Sequence, residues 1–148
     1  MRPPLREVTV RVLVHATEDE NKIMGALKNF LPSKIRVERV ELEGHYGNPL
    51  VLLKARVRGK EVEEVLSFLL DRIENLASLF PKFERHLDKE GNLYLRLDKQ
   101  EACGGRWVLK EGDEVIHLTL KGGGLKKREL LEFLRTKGGK WKGSGEDT

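Results

Sequence analysis

Hydrophobic and polar positions alternate strictly at the start of the chain. Val8, Val10, Val12 and Val14 fall on one side, and Thr9, Arg11, Leu13 and His15 on the other. Period-two alternation rich in β-branched residues predicts a half-buried strand. The period changes at Thr17-Glu18-Asp19-Glu20, whose spacing predicts a capping box with Thr17 as N-cap and Glu20 reaching back to it. Ile23, Ala26, Leu27, Phe30 and Leu31 then recur at helical spacing, and Pro32 ends that helix because it cannot donate the next hydrogen bond. Residues 35–43 predict a second strand whose phase slips: Ile35 and Val37 are odd, Val40 and Leu42 even. A β-bulge near Glu38-Arg39 would absorb the slip. Residues 44–49, Gly-His-Tyr-Gly-Asn-Pro, are turn chemistry. A third strand over 50–58 completes the hairpin, with Val51, Leu53, Ala55 and Val57 on one face.

A second helix is predicted over 61–76, with Val62, Val65, Leu66, Leu69, Ile73 and Leu76 as its apolar stripe. Residues 84–98 predict strand, turn and strand, with Leu93, Leu95 and Leu97 pointing inward, followed by a short helical turn capped by Asp98. Residues 106–110 and 115–121 predict another hairpin. Glycines 122–124 form a joint before a basic helix over 125–135 and a polar, glycine-rich tail. The order predicts an α+β fold of two layers, a mostly antiparallel sheet with helices packed on one face and the other open to solvent. Residues 1–121 are expected to form this domain, and 122–148 a basic C-terminal helix and flexible tail.

Charge gives the open face its meaning. Alternation places Arg11, Lys54, Arg56, Arg58, Tyr94 and Arg96 on it, with His15, His117, Thr119 and Lys121, and few carboxylates outside the 35–43 strand. A basic sheet face is a surface suited to a phosphate backbone. Base stacking by a sheet needs at least two exposed aromatics on adjacent strands, and only Tyr94 and Trp107 are candidates, so phosphate or shape recognition is expected instead. In the 44–49 turn, Gly44 and Gly47 permit main-chain N–H groups to meet phosphate, and His45 and Tyr46 offer stacking. Lys99 and the C-terminal Lys126, Lys127 and Arg128 complete the expected RNA contacts.

Composition excludes more than it assigns. The net charge is +4 over 148 residues, the charged fraction is 35%, and a single glutamine, Gln100, accompanies many Lys, Arg and Glu, a thermophile-like bias. One cysteine, Cys103, allows no internal disulfide, and no apolar run approaches the ~18 residues of a membrane span. A soluble, cytoplasmic protein without membrane contact is expected. No HExxH, CxxC, GxSxG, P-loop or GxGxxG motif is present. The expectation is a non-enzymatic protein that needs no cofactor. Two rivals stand beside it: a module that docks on a protein complex with little RNA contact, and a metal-dependent hydrolase with a metal between His15, Asp19 and Asp98.

Four segments, HATED (15–19), EGHYGNP (43–49), RGK (58–60) and LYLRLDKQEA (93–102), occur in an order that resembles an archaeal family of small proteins described as predicted exosome subunits or RNA-binding proteins. The resemblance spans roughly residues 6–121. It implies a fold similar to the ribosomal protein that holds 5S RNA, and RNA association in archaeal RNA processing or ribosome-related work. Exosome or ribosomal proteins would be further partners. No catalytic residues come with it.

Overall fold

Alternation along the first strand becomes burial in three dimensions. In the computed structural model, which describes residues 5–122 and Glu132, β1 (Leu5–His15) buries Val8, Val10, Val12 and Val14 and leaves Arg11 and Leu13 exposed. It lies at the centre of a five-stranded sheet with β2 (Glu38–Glu43), β3 (Pro49–Arg58), β4 (Leu93–Asp98) and β5 (Val115–Gly122), in the order β2-β3-β1-β5-β4. All four pairings are antiparallel. The helices α1 (Glu20–Phe30) and α2 (Glu61–Arg72) bring Ile23, Ala26, Leu27 and Phe30, and Val62, Val65, Leu66, Leu69 and Leu70, into one core with the valines of β1 and the leucines of β4 and β5. Each such aliphatic side chain contributes about 1.5–3 kcal/mol on burial, so one face of the sheet carries the stability. The fold is α+β, with the helical layer on that face.

Several local expectations are corrected. The N-cap of α1 is Asp19, whose carboxylate accepts from the Asn21 and Lys22 amides at 3.0 and 3.3 Å, so Thr17 is not the cap. Glu18 is thereby free to turn elsewhere. There is no bulge at Glu38-Arg39, since β2 pairs with β3 without interruption from Glu38↔Lys54 to Glu43↔Pro49. The phase slip marks the strand's start instead: Ile35 and Val37 pack on the core before β2 begins. Within β2 the in-facing Arg39 is held by Glu20 of α1 at 2.6 Å, which leaves Val40 and Leu42 facing outward. The register shift that does occur lies between β1 and β5, at Leu5/Glu7.

The second helix stops at Arg72, and residues Leu76–His86 form a 3₁₀ segment containing Pro81. The expected strand from residue 84 is therefore absent apart from one bridge, Leu87↔Leu93. Residues 106–110 do not pair with β5; they bridge Ile73 and Leu97 through Trp107 and Leu109, and β5 pairs with β1 and β4. Trp107 is buried, edge-on to Phe30 and Phe68 at 5.5 and 5.9 Å, and so is withdrawn from the open face. Asp98 does cap a short helix, α3 (Lys99–Cys103), accepting from the Glu101 amide at 3.0 Å. The expected helix over 125–135, with Lys126, Lys127 and Arg128, the polar tail and the division at 121/122 fall outside the described residues or at their edge.

Candidate nucleic-acid interface

Directly opposed residues in antiparallel strands share a face, so the register writes the open surface as rows. One row reads Arg58–Glu7–Lys121 and the next Arg56–Thr9–Thr119–Tyr94. The third is Glu38–Lys54–Arg11–His117–Arg96, followed by Val40–Leu52–Leu13 and Leu42–Leu50–His15. The surface is graded from ionic through basic to apolar.

In the first row a carboxylate absent from the expected set reorganises the charge. Glu7 is 8% exposed and its oxygens lie 3.0 Å from Arg58, 3.5 Å from Arg56 and 3.5 Å from Lys121, with the Thr9 hydroxyl donating at 3.2 Å. Burial would raise its carboxyl pKa, but Arg58, Lys121 and Thr9 outweigh burial and hold it below the usual carboxylate range. Three cations share one anion, leaving a net excess of positive charge. The signal was legible: Glu7 has the parity of Thr9 and Arg11, once the strand is begun at Leu5 rather than Val8.

The central row is different. Arg11 and Arg96 have no carboxylate partner among the described residues, and they flank His117 across the strands. Burial, then Arg96 and Arg11, push the His117 pKa down, so the imidazole is neutral near pH 7. Titrating the ring by NMR should place His117 below the ordinary histidine range, and replacing either arginine by alanine should move it upward. Bound phosphate at this row should also raise it, with proton uptake on binding; an unmoved His117 would separate the ligand from this row.

Beside the row lies an open depression lined by Arg11, Leu13, Leu52, Tyr94, Arg96 and His117. The Tyr94 hydroxyl donates to Asp88 Oδ2 at 2.7 Å, which fixes the ring while leaving it 43% exposed. Leu13 and Leu42 are each 41% exposed, and Tyr46, in the loop joining β2 and β3, is 90% exposed. All four large exposed apolar side chains among the described residues thus stand on this face or its hairpin loop. Scattered exposed leucines are ordinary, but their concentration on one face is not.

That loop is closed by the Gly44 amide donating to Asn48 O at 2.6 Å and the Gly47 amide to Gly44 O at 2.9 Å. Gly47 has φ +78°, a backbone conformation that demands glycine, whereas a Cβ at Gly44 would lie 2.5 Å from the Asn48 side chain, which would have to turn aside. His45 and Tyr46 pack edge-on at 4.6 Å. Five strand steps separate Pro49 from Lys54, about 17 Å, so the loop and the basic row are distinct ends of one surface.

Lys99 does not belong to that surface. It is 1% exposed, and its ammonium donates to Leu13 O at 2.8 Å and Glu18 Oε1 at 2.9 Å and lies 3.4 Å from Glu114 Oε1. The HATED and LDKQEA segments meet here as a buried pin between β1 and α3. The hydrolase grouping is also corrected: Asp19 and Asp98 are spent as helix caps. The residues that do converge are His15, Glu18 and Glu114, with ligand atoms within 4.8 Å of one another. Lys99 already supplies the positive charge among them, and a metal ion would have to displace it. Cys103 stays a thiol, since burial and the nearby Glu18 push its pKa up.

The description "RNA binding" belongs to the family whose model matches residues 7–122. A Pyrococcus abyssi protein named as an RNA-binding protein is 34% identical over 128 residues, covering 77% of this chain and 79% of its own. The structure of a DUF54 protein from Methanothermobacter thermautotrophicus is 32% identical with TM-score 0.74, covering 91% of this chain and 98% of that one. A Sulfolobus solfataricus crystal structure of the same DUF54 family is 30% identical with TM-score 0.74, covering 90% and 97%. No helix among the described residues is long and apolar enough to cross a membrane. The family match spans all but the first two residues of the sheet and both long helices, and the chain belongs to this RNA-binding family.

Proposed function

We propose that the protein binds RNA without catalysis, through the open sheet face, with phosphates along Lys54, Arg11 and Arg96 and bases against Tyr94 and the leucines beside them. The observation that carries this reading is the pair of arginines lacking carboxylate partners around His117, next to an exposed aromatic ring, on a face that no described residue covers. Arg56, Arg58 and Lys121 add net charge at one end, and the His45-Tyr46 loop offers stacking at the other. The setting proposed with it is archaeal RNA processing, in association with exosome or ribosomal components, in line with the sequence resemblance. Titrating single-stranded and structured RNA at several salt concentrations tests it. Micromolar or tighter binding at low salt, weakening steeply as salt rises, is expected; no binding at low salt would overturn it.

The apolar corner of Val40, Leu42, Leu50, Leu52 and Leu13 favours a second reading, in which this end docks on protein. Self-association on sizing, together with RNA binding indifferent to salt, would favour that reading over the first.

A further inference from the structure

Arg96 lines a second concavity besides the depression on the sheet face. At the β4 edge, the 3₁₀ segment Leu76–His86 and residues 109–111 enclose a cleft of about 260 Å³, where Lys82, His86, Arg96, Lys110 and Glu111 stand beside an apolar part formed by Leu79, Leu95 and Leu109. This is below the ~300–1,000 Å³ of small-molecule sites, a size for one group rather than a whole cofactor. The cleft is built rather than incidental. The Asn75 side chain clamps Leu109 through hydrogen bonds of 2.8 and 3.0 Å, and the Lys110 amide donates to Arg96 O at 2.9 Å, fixing both walls.

Its cations are held loosely. Glu111 Oε2 lies 3.9 Å from Lys82 Nζ and 4.0 Å from His86 Nε2, and Asp98 Oδ2 lies 3.7 Å from Lys110 Nζ. These separations exceed hydrogen-bond length, as does Lys54–Glu38 at 3.8 Å on the sheet face, whereas Arg39–Glu20 and Arg106–Glu74 close to 2.6 and 2.7 Å. Arg96 has no carboxylate partner among the described residues. Three full cations and an imidazole therefore surround a small space with donors unspent, and one Glu111 oxygen stands midway between two of them.

We infer that this cleft is a phosphate-binding site, which receives one phosphate group of the RNA strand as it passes from the central row over the β4 edge. The inference rests on the sheet-face reading, because Arg96 joins the two concavities. Glu111 holds Lys82 and His86 in place without phosphate and yields to a phosphate oxygen when one enters. Proximity of several donors around one anion is what makes a phosphate site selective over a merely basic surface.

The decisive comparison is Lys82→Ala/Lys110→Ala against Arg11→Ala, using one single-stranded RNA oligonucleotide prepared with and without a terminal phosphate. Lys82 and Lys110 are about half exposed, so the variant should fold. The double variant is expected to weaken binding roughly tenfold or more and to reduce the log-log salt slope by about 0.7, the single-strand value for the one phosphate the cleft receives. Glu111→Gln should tighten binding. An effect confined to the phosphorylated oligonucleotide identifies a terminal phosphate; an equal effect on both identifies a backbone phosphate. Inorganic phosphate, added at constant ionic strength, should shift the His86 ring signals in the wild type and not in the double variant. If the double variant matches the wild type while Arg11→Ala weakens binding, the cleft is excluded and the sheet face stands. If RNA fails to bind the wild type but phosphate still moves His86, the sheet reading fails and the cleft survives as an anion site.

Discussion

Replacing Lys99 with methionine is expected to cost about 3–5 kcal/mol of folding stability, the range for removing one partner of a buried ion pair. The methylene stem could be matched by methionine, so little of the loss comes from packing. What is lost is the donor: Leu13 O and Glu18 Oε1 are left facing each other without it, and Glu18 retains only the His15 amide at 2.8 Å and a distant Gln100. The sign with pH is also set. Burial raises the Glu18 carboxyl, but the His15 amide and Lys99 outweigh it, so its pKa in the folded protein lies below the ordinary 4.5. A depressed carboxylate contributes stability that is present above its unfolded pKa and is lost as pH falls through the folded one. Without Lys99 that contribution shrinks, and the gap between variant and wild type should narrow as pH falls below about 4.5. Urea unfolding at pH 7 and pH 4 measures both effects. Adding Glu18→Gln to Lys99→Met should recover part of the loss, a coupling of roughly 1–3 kcal/mol. A Lys99→Met protein within 1 kcal/mol of wild type would refute the buried pin, as would one that kept its full stability but lost RNA binding.

The contrast between Lys99 and Arg11 shows what the chain discloses by itself. Arg11 is legible on the open face because alternation is a local property, and Val10 and Val12 on either side fix its direction. Lys99 follows an N-cap in a helix of five residues, too short for periodicity to assign a buried side. Its partners, Leu13 and Glu18, lie 86 and 81 positions away, and pairing at that distance leaves no trace in spacing. Thr17 and Asp19 both have the chemistry of an N-cap and spacing alone does not choose between them; the Asp19 carboxylate is the one that accepts from the Asn21 and Lys22 amides. Trp107 misleads for a related reason: the apolar run Trp107-Val108-Leu109 suggests a strand at 106–110, yet the segment pairs only through single bridges. Residues with a strong local period were legible. Those fixed by a distant partner were not.

Removing both Arg11 and Arg96 should be the most damaging surface change for RNA binding. Each is exposed and lacks a carboxylate partner among the described residues, so alanine leaves no buried charge behind and folding stability should change by no more than about 0.5 kcal/mol. Arg56 and Arg58 make a useful comparison. Their charge is shared with Glu7 at 3.5 and 3.0 Å, so a phosphate must compete with an internal anion there, and their loss should cost less. If phosphates run along the central row, the Arg11→Ala/Arg96→Ala protein should bind single-stranded RNA about 10–100-fold more weakly at low salt. Its log-log salt slope should fall by about 1.4, at ~0.7 per contact. The loss should be uniform across RNA sequences, because phosphate contacts position a strand without reading it. Tyr94→Leu gives the complementary signature: weaker binding with an unchanged salt slope, since a stacked base releases no counterions. Equal losses for the Arg56/Arg58 and Arg11/Arg96 pairs would show that total charge governs binding. A slope left unchanged in the Arg11/Arg96 variant would remove the phosphate backbone from the central row altogether.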